Sequence, residues 1–72
     1  MTNQEKISIL EEMMELEKGT LHENDLLSDI IEWNSLAKLS FIAIMDETFG
    51  KKVSADEMKQ FKSVKDILNF ME

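Results

Sequence analysis

The chain has 72 residues, no Cys, no Arg, no Pro and only two Gly, and its fifteen acids against eight lysines leave a net charge of -7. That length holds one compact unit over residues 1–72, and the missing cysteines exclude disulfides and thiolate zinc sites. The acidity repels phosphate backbones and anionic membranes, so nucleic acid is excluded as a natural partner.

The composition favours helices, since Glu, Lys, Leu, Met and Ile dominate and turn-forming residues are scarce. Thr2 and Glu5 have the spacing of a capping box. Ile7, Leu10 and Met14, widened by Met13 and Leu16, form an apolar face. These signals predict a first helix over residues 3–18, closed by Lys18 in its last turn and Gly19 as a left-handed cap.

Residues 20–33 carry Leu21, Leu26, Leu27, Ile30, Ile31 and Trp33 without a sustained helical period. A connection this long and apolar is expected to be an ordered loop that packs across the helices.

Asn34 and Ser35 are both N-cap types, and Leu36, Leu39, Ile42, Ala43, Met45 and Phe49 follow at three- and four-residue steps. A second helix is predicted over 35–49, with Gly50 as its stop and Lys51 and Lys52 past the negative end of its dipole. Ser54 with Glu57 opens a third helix of about two turns through Met58 and Phe61. Ser63 with Asp66, and the stripe Val64, Ile67, Leu68, Met71, mark a fourth that runs to the C-terminus. The fold class is therefore all-α: four helices, a long first loop and a short third helix.

An enzyme reading finds little material, because one His and no Cys, Tyr or Arg leave few nucleophile–base pairs or phosphate clamps. His22 reads as a solvated loop histidine. Glu11, Glu12 and Glu15 read as a solvated helix face, with no accompanying metal-ligand spacing. No apolar run is long enough for a signal peptide or membrane span, which makes the cytoplasm the expected location. The charge is unevenly placed: residues 1–32 hold nine acids and two lysines, the remainder six of each.

Ser35 is the one residue with a chemical setting of its own. At a loop-to-helix junction a hydroxyl is exposed beside free backbone N–H groups and the positive end of a helix dipole, which favours a phosphate. Taken alone, a serine there also fits a simple cap, a role that Asn34 can equally fill.

The stretch Leu27-Ser28-Asp29-Ile30-Ile31-Glu32-Trp33-Asn34-Ser35-Leu36, followed by the helix through Phe49-Gly50, resembles the phosphopantetheine attachment region of the acyl carrier protein family, whose usual core is Asp-Ser-Leu. The resemblance covers essentially the whole chain and implies a right-handed four-helix bundle. Ser35 falls on the family's modified serine. The resemblance implies a covalent phosphopantetheine arm, supplied from coenzyme A by a phosphopantetheinyl transferase. It implies acyl or aminoacyl cargo held as a thioester, and acyl-loading, acyl-transfer or condensing enzymes as partners of a monomer that makes no bond itself. Fatty acid, specialised lipid, polysaccharide and secondary-metabolite biosynthesis are the settings implied.

Asn34, Leu36, Lys38, Asp46 and Glu47 are the expected partner-docking residues, and Leu39, Ile42, Ala43, Val53, Met58 and Phe61 the expected lining of an acyl cavity or, equally, ordinary core. Asn34 departs from the usual Asp, and Lys38 and Ser40 depart from the usual acidic face of the second helix, so a dedicated partner is expected. An unmodified acidic adaptor that binds a basic partner through the first helix and the loop is the alternative.

Overall fold

The structure, a computed structural model, describes residues 1–71. Four α-helices are present among them: α1 (Asn3–Met13), α2 (Ser35–Ile44), α3 (Ala55–Gln60) and α4 (Val64–Phe70). A single turn of 3₁₀ helix (Leu27–Asp29) interrupts the first connection, and a π-helical turn (Met45–Phe49) extends α2. Strand pairing is confined to one antiparallel bridge between Leu26 and Ser63 among the described residues. The molecule is thus a small, mostly helical domain, as the composition predicts.

Capping decides most of the boundaries. Thr2 Oγ1 accepts the Glu5 amide at 3.2 Å, and the Glu5 carboxylate accepts the Thr2 amide at 2.8 Å. Ser54 and Glu57 repeat that exchange at α3. At α4 the Asp66 carboxylate accepts two amides, from Lys62 at 2.9 Å and Ser63 at 3.2 Å.

The carboxyl end of α1 differs from expectation. The helix stops at Met13, not residue 18, because Glu15 takes the left-handed conformation (φ 58°) that the sequence reading assigns to Gly19. Glu15 N–H donates to Glu12 O and Leu16 N–H to Glu11 O, the paired bonds of a Schellman cap. A non-glycine residue in that conformation costs roughly 1–2 kcal/mol. Its neighbours offset this cost by turning the chain so that Leu16 packs on the core and Leu21 is buried. Gly19, with φ 88°, serves the turn that follows.

The long connection is ordered, as expected. Leu21 and Leu27 are buried in the core. Leu27 N–H donates to Lys62 O, Val64 N–H to Asp25 O and Lys65 N–H to Glu23 O, all between 2.9 and 3.0 Å, so backbone bonds stitch the loop to the start of α4.

α2 and its π-turn together span the predicted 35–49, and Gly50 closes them at φ 65°. Its inward face differs from expectation. Ala37, Phe41 and Met45, at four-residue spacing, are buried, while Leu36, Leu39, Ile42 and Ala43 face outward. Lys51 serves that end through its backbone and not its charge: its amide donates to Met45 O at 3.0 Å, while its Nζ donates to Phe70 O at 2.9 Å and lies 4.9 Å from the centre of the Phe70 ring.

On α4, Val64, Ile67 and Leu68 are buried. The helix ends at Phe70 with Met71 buried beyond it, and the expected continuation to residue 72 lies outside the described residues. Four aromatic rings meet edge to face across the core: Trp33 on Phe41 at 5.9 Å, Phe41 on Phe61 at 6.0 Å and Phe61 on Phe70 at 5.5 Å.

Candidate functional site

The start of α2 separates the roles of its first two polar residues. Asn34 adopts extended backbone (φ -105°, ψ -174°) as the N-cap, and its Oδ1 accepts the Ala37 amide at 3.0 Å. Its backbone carbonyl accepts the Lys38 amide at 2.9 Å. Ser35 is the first residue inside the helix and is exposed. With Asn34 acting as the cap, the Ser35 hydroxyl is not used to satisfy the helix and has no hydrogen-bond partner among the described residues. The Ser35 and Leu36 amides, which precede the first intrahelical bonds, likewise have no acceptor there.

The junction is held rigidly from behind. Trp33 N–H donates to Ile30 O at 3.1 Å, and the half-buried Trp33 ring stands edge-on to Phe41, which is fully buried. The backbone on both sides of Ser35 is therefore positioned by the core, while its side chain points to solvent. An exposed hydroxyl beside unpaired amides at the positive end of a helix dipole has the donors and field that suit a phosphodiester. The residues present fit an attached phosphopantetheine on these grounds.

The expected docking residues Asn34, Leu36, Lys38, Asp46 and Glu47 are all exposed, Leu36 at 74%. They do not form one face: with about 100° per helical residue, Leu36 and Lys38 leave α2 on opposite flanks. The six residues expected to line a cavity divide in two. Leu39, Ile42 and Ala43 are exposed, so they are neither cavity wall nor core. The helix presents its Ala37, Phe41, Met45 edge inward instead. Val53, Met58 and Phe61 are half-buried against the core. Met58 and Phe61 also line a cleft between the long loop, α2 and α3, together with Trp33, Ile30 and Lys38.

His22 is exposed, as expected. Its Nδ1 lies 3.7 Å from the Asp25 carboxylate and its amide donates to the same oxygen at 2.9 Å. The expectation of a solvated Glu11, Glu12, Glu15 face holds only for the last two. Glu11 is 2% exposed, and its Oε2 accepts the Gly19 amide at 2.9 Å and the Leu21 amide at 3.1 Å. The available signal was its place four residues after Ile7, on the apolar stripe. Lys6 is also buried, its Nζ donating to Leu68 O at 3.2 Å near the end of α4. Leu10, four residues on, gave the same signal.

Among the described residues no helix is long and apolar enough to cross a membrane. No family model, curated protein or solved structure matches the chain.

Proposed function

We propose that the chain is a carrier domain. It holds acyl or aminoacyl intermediates as thioesters on a phosphopantetheine arm attached to Ser35 and presents them to partner enzymes of fatty acid, specialised lipid, polysaccharide or secondary-metabolite biosynthesis. The observation that carries this reading is the division of roles at the start of α2, where Asn34 makes the cap and leaves the adjacent hydroxyl exposed and uncommitted. Four helices with a long, ordered first connection and a short third helix also support the carrier-type arrangement.

In the loading step the Ser35 Oγ attacks the phosphorus of coenzyme A that bears the pantetheine arm. A new Oγ–P bond forms, the pyrophosphate P–O bond breaks and adenosine bisphosphate leaves, with the hydroxyl proton passing to a base of the transferase. The arm's terminal thiol then carries cargo. The carrier contributes position, through the rigid backbone at Trp33 and Asn34, and charge stabilisation, through the helix dipole.

Partner choice follows the exposed residues. Leu36 offers an apolar contact next to the arm, Lys38 replaces the expected acid on α2, and Asp46 and Glu47 return negative charge only at its far end. That arrangement favours a dedicated partner over one that reads a uniformly acidic helix. Cargo shelter, if the cargo is apolar, falls to the cleft beside Met58 and Phe61 and not to Leu39, Ile42 and Ala43.

The test is intact-mass measurement after incubation with coenzyme A and a broad-specificity phosphopantetheinyl transferase. A gain of one phosphopantetheinyl group, abolished in Ser35→Ala, is expected. No gain, or an equal gain in Ser35→Ala, overturns the reading.

A further inference from the structure

A groove of about 450 Å³ runs between the carboxyl end of α1 and the first two turns of α2, and Ser35 does not line it. It lies open because Glu15 turns the chain away after Met13, leaving the early turns of α2 without a covering helix. Met14 and Ala37 form its buried side, Met13 is half-buried in it, and Leu36 stands exposed along its edge. The rim is Glu12, Glu15 and Glu32, all exposed, and among the described residues no cation lines the groove. On the opposite flank of α2, Lys38 and Lys59 line the loop–α2–α3 cleft, so the helix divides an acidic side from a basic one.

We propose that this groove docks a partner protein through an amphipathic helix that inserts a large apolar side chain and carries Lys or Arg on either side of it. Methionine surfaces adapt to varied apolar anchors, and a helix laid in an apolar groove is a common recognition mode. Leu39, one turn beyond Leu36 on α2 and 64% exposed, extends the apolar contact outside the groove. Three carboxylates with no compensating cation select a basic partner and speed its encounter. A second copy of the chain brings the same net charge of -7 and is disfavoured. The groove's contacts do not use the Ser35 hydroxyl, so the inference stands apart from the carrier reading.

The probe is a synthetic Leu/Lys amphipathic helical peptide, titrated into the unmodified protein by calorimetry and by two-dimensional NMR. Shifts at the Met13 and Met14 methyls and the Ala37 amide are expected. Glu12→Gln/Glu15→Gln/Glu32→Gln should weaken binding by about tenfold or more, whereas Glu17→Gln/Asp29→Asn/Asp56→Asn, an equal change of charge elsewhere, should weaken it by less than about threefold. Equal weakening by both triples, shifts confined to other residues, an equally tight Leu/Glu peptide, or no binding each overturns the proposal. None of the substituted side chains makes a hydrogen bond among the described residues, so both triples should retain the fold, as their circular dichroism melts will show.

Discussion

The carboxylate of Glu11 reaches eight residues along the chain to accept the amide of Gly19 at 2.9 Å, and the same oxygen takes the Leu21 amide at 3.1 Å. One buried side chain thus ties the end of α1 to the segment that follows it. Its other oxygen, Oε1, is buried without a hydrogen-bond partner among the described residues. Glu11→Ala strands two amides and is expected to lower unfolding free energy by about 2–3 kcal/mol in urea titrations. Glu11→Gln keeps an acceptor for both amides and should cost about 1 kcal/mol or less. Equal losses for the two variants would refute the assigned role.

Glu15 is the complementary case. It is exposed and left-handed, so Glu15→Gly removes backbone strain at the cap and is expected to raise stability by up to about 1 kcal/mol despite glycine's greater freedom in the unfolded chain. Gly50→Ala should do the reverse: no atom of the described residues crowds a new Cβ, yet φ is 65° and the strain costs about 1 kcal/mol. Thermal melts of the two variants check the opposite signs.

Asn34 and Ser35 should separate stability from loading. Asn34→Ala loses the bond to the Ala37 amide and is expected to cost about 1 kcal/mol. Ser35→Ala should leave stability within about 0.5 kcal/mol, because the hydroxyl holds nothing. Asn34→Asp keeps the cap, adds a charge favourable to the dipole and should speed modification by a transferase that prefers Asp there. A stability loss in Ser35→Ala as large as that in Asn34→Ala would reverse the assignment of the cap.

Acid should weaken the fold through Asp66 and Glu5. The Lys62 amide, then the Ser63 amide, hold the Asp66 carboxyl below its ordinary value, and the Thr2 amide and hydroxyl do the same for Glu5. Because each folded-state pKa is depressed, the stabilisation is fully present above the ordinary carboxylate range. It is lost as pH falls through that range to the lower folded value. Urea midpoints between about pH 6 and pH 2 should fall, and Asp66→Asn should flatten the fall. An unchanged slope in that variant contradicts the role of Asp66.

Phe41 and Leu39 lie two residues apart on α2 with opposite surroundings. Phe41 is fully buried between Trp33 and Phe61, and Phe41→Ala is expected to cost about 3–5 kcal/mol. Leu39 is 64% exposed, and Leu39→Ser should change stability by less than about 0.5 kcal/mol. Denaturant midpoints distinguish them directly.

The two residues also show where the sequence was legible. Helix starts could be read because a cap is local chemistry: Thr2, Asn34 and Ser54 each make the bonds their spacing implies. Helix faces could not be read on α2, where apolar side chains occur almost all round and the period does not single out the edge that meets the core. Tertiary demand then chose Ala37, Phe41 and Met45. The end of α1 departs from its local signal for a related reason. Gly19 carries the local signal, but burial of Leu21 and Glu11 made an earlier turn at Glu15 the better solution. The exposure of Ser35 was suggested by its position, whereas its freedom from capping depended on Asn34, and either residue could have taken that role.

The edge-to-face contact of Trp33 with Phe41 has a practical consequence. Trp33 is the sole indole of the chain, half-buried two residues before Ser35 and in the wall of the cleft beside Met58 and Phe61. Its emission therefore comes from a single, known place, so attachment of the proposed arm, entry of cargo or loosening of the core would each be observable optically, in real time and without a label.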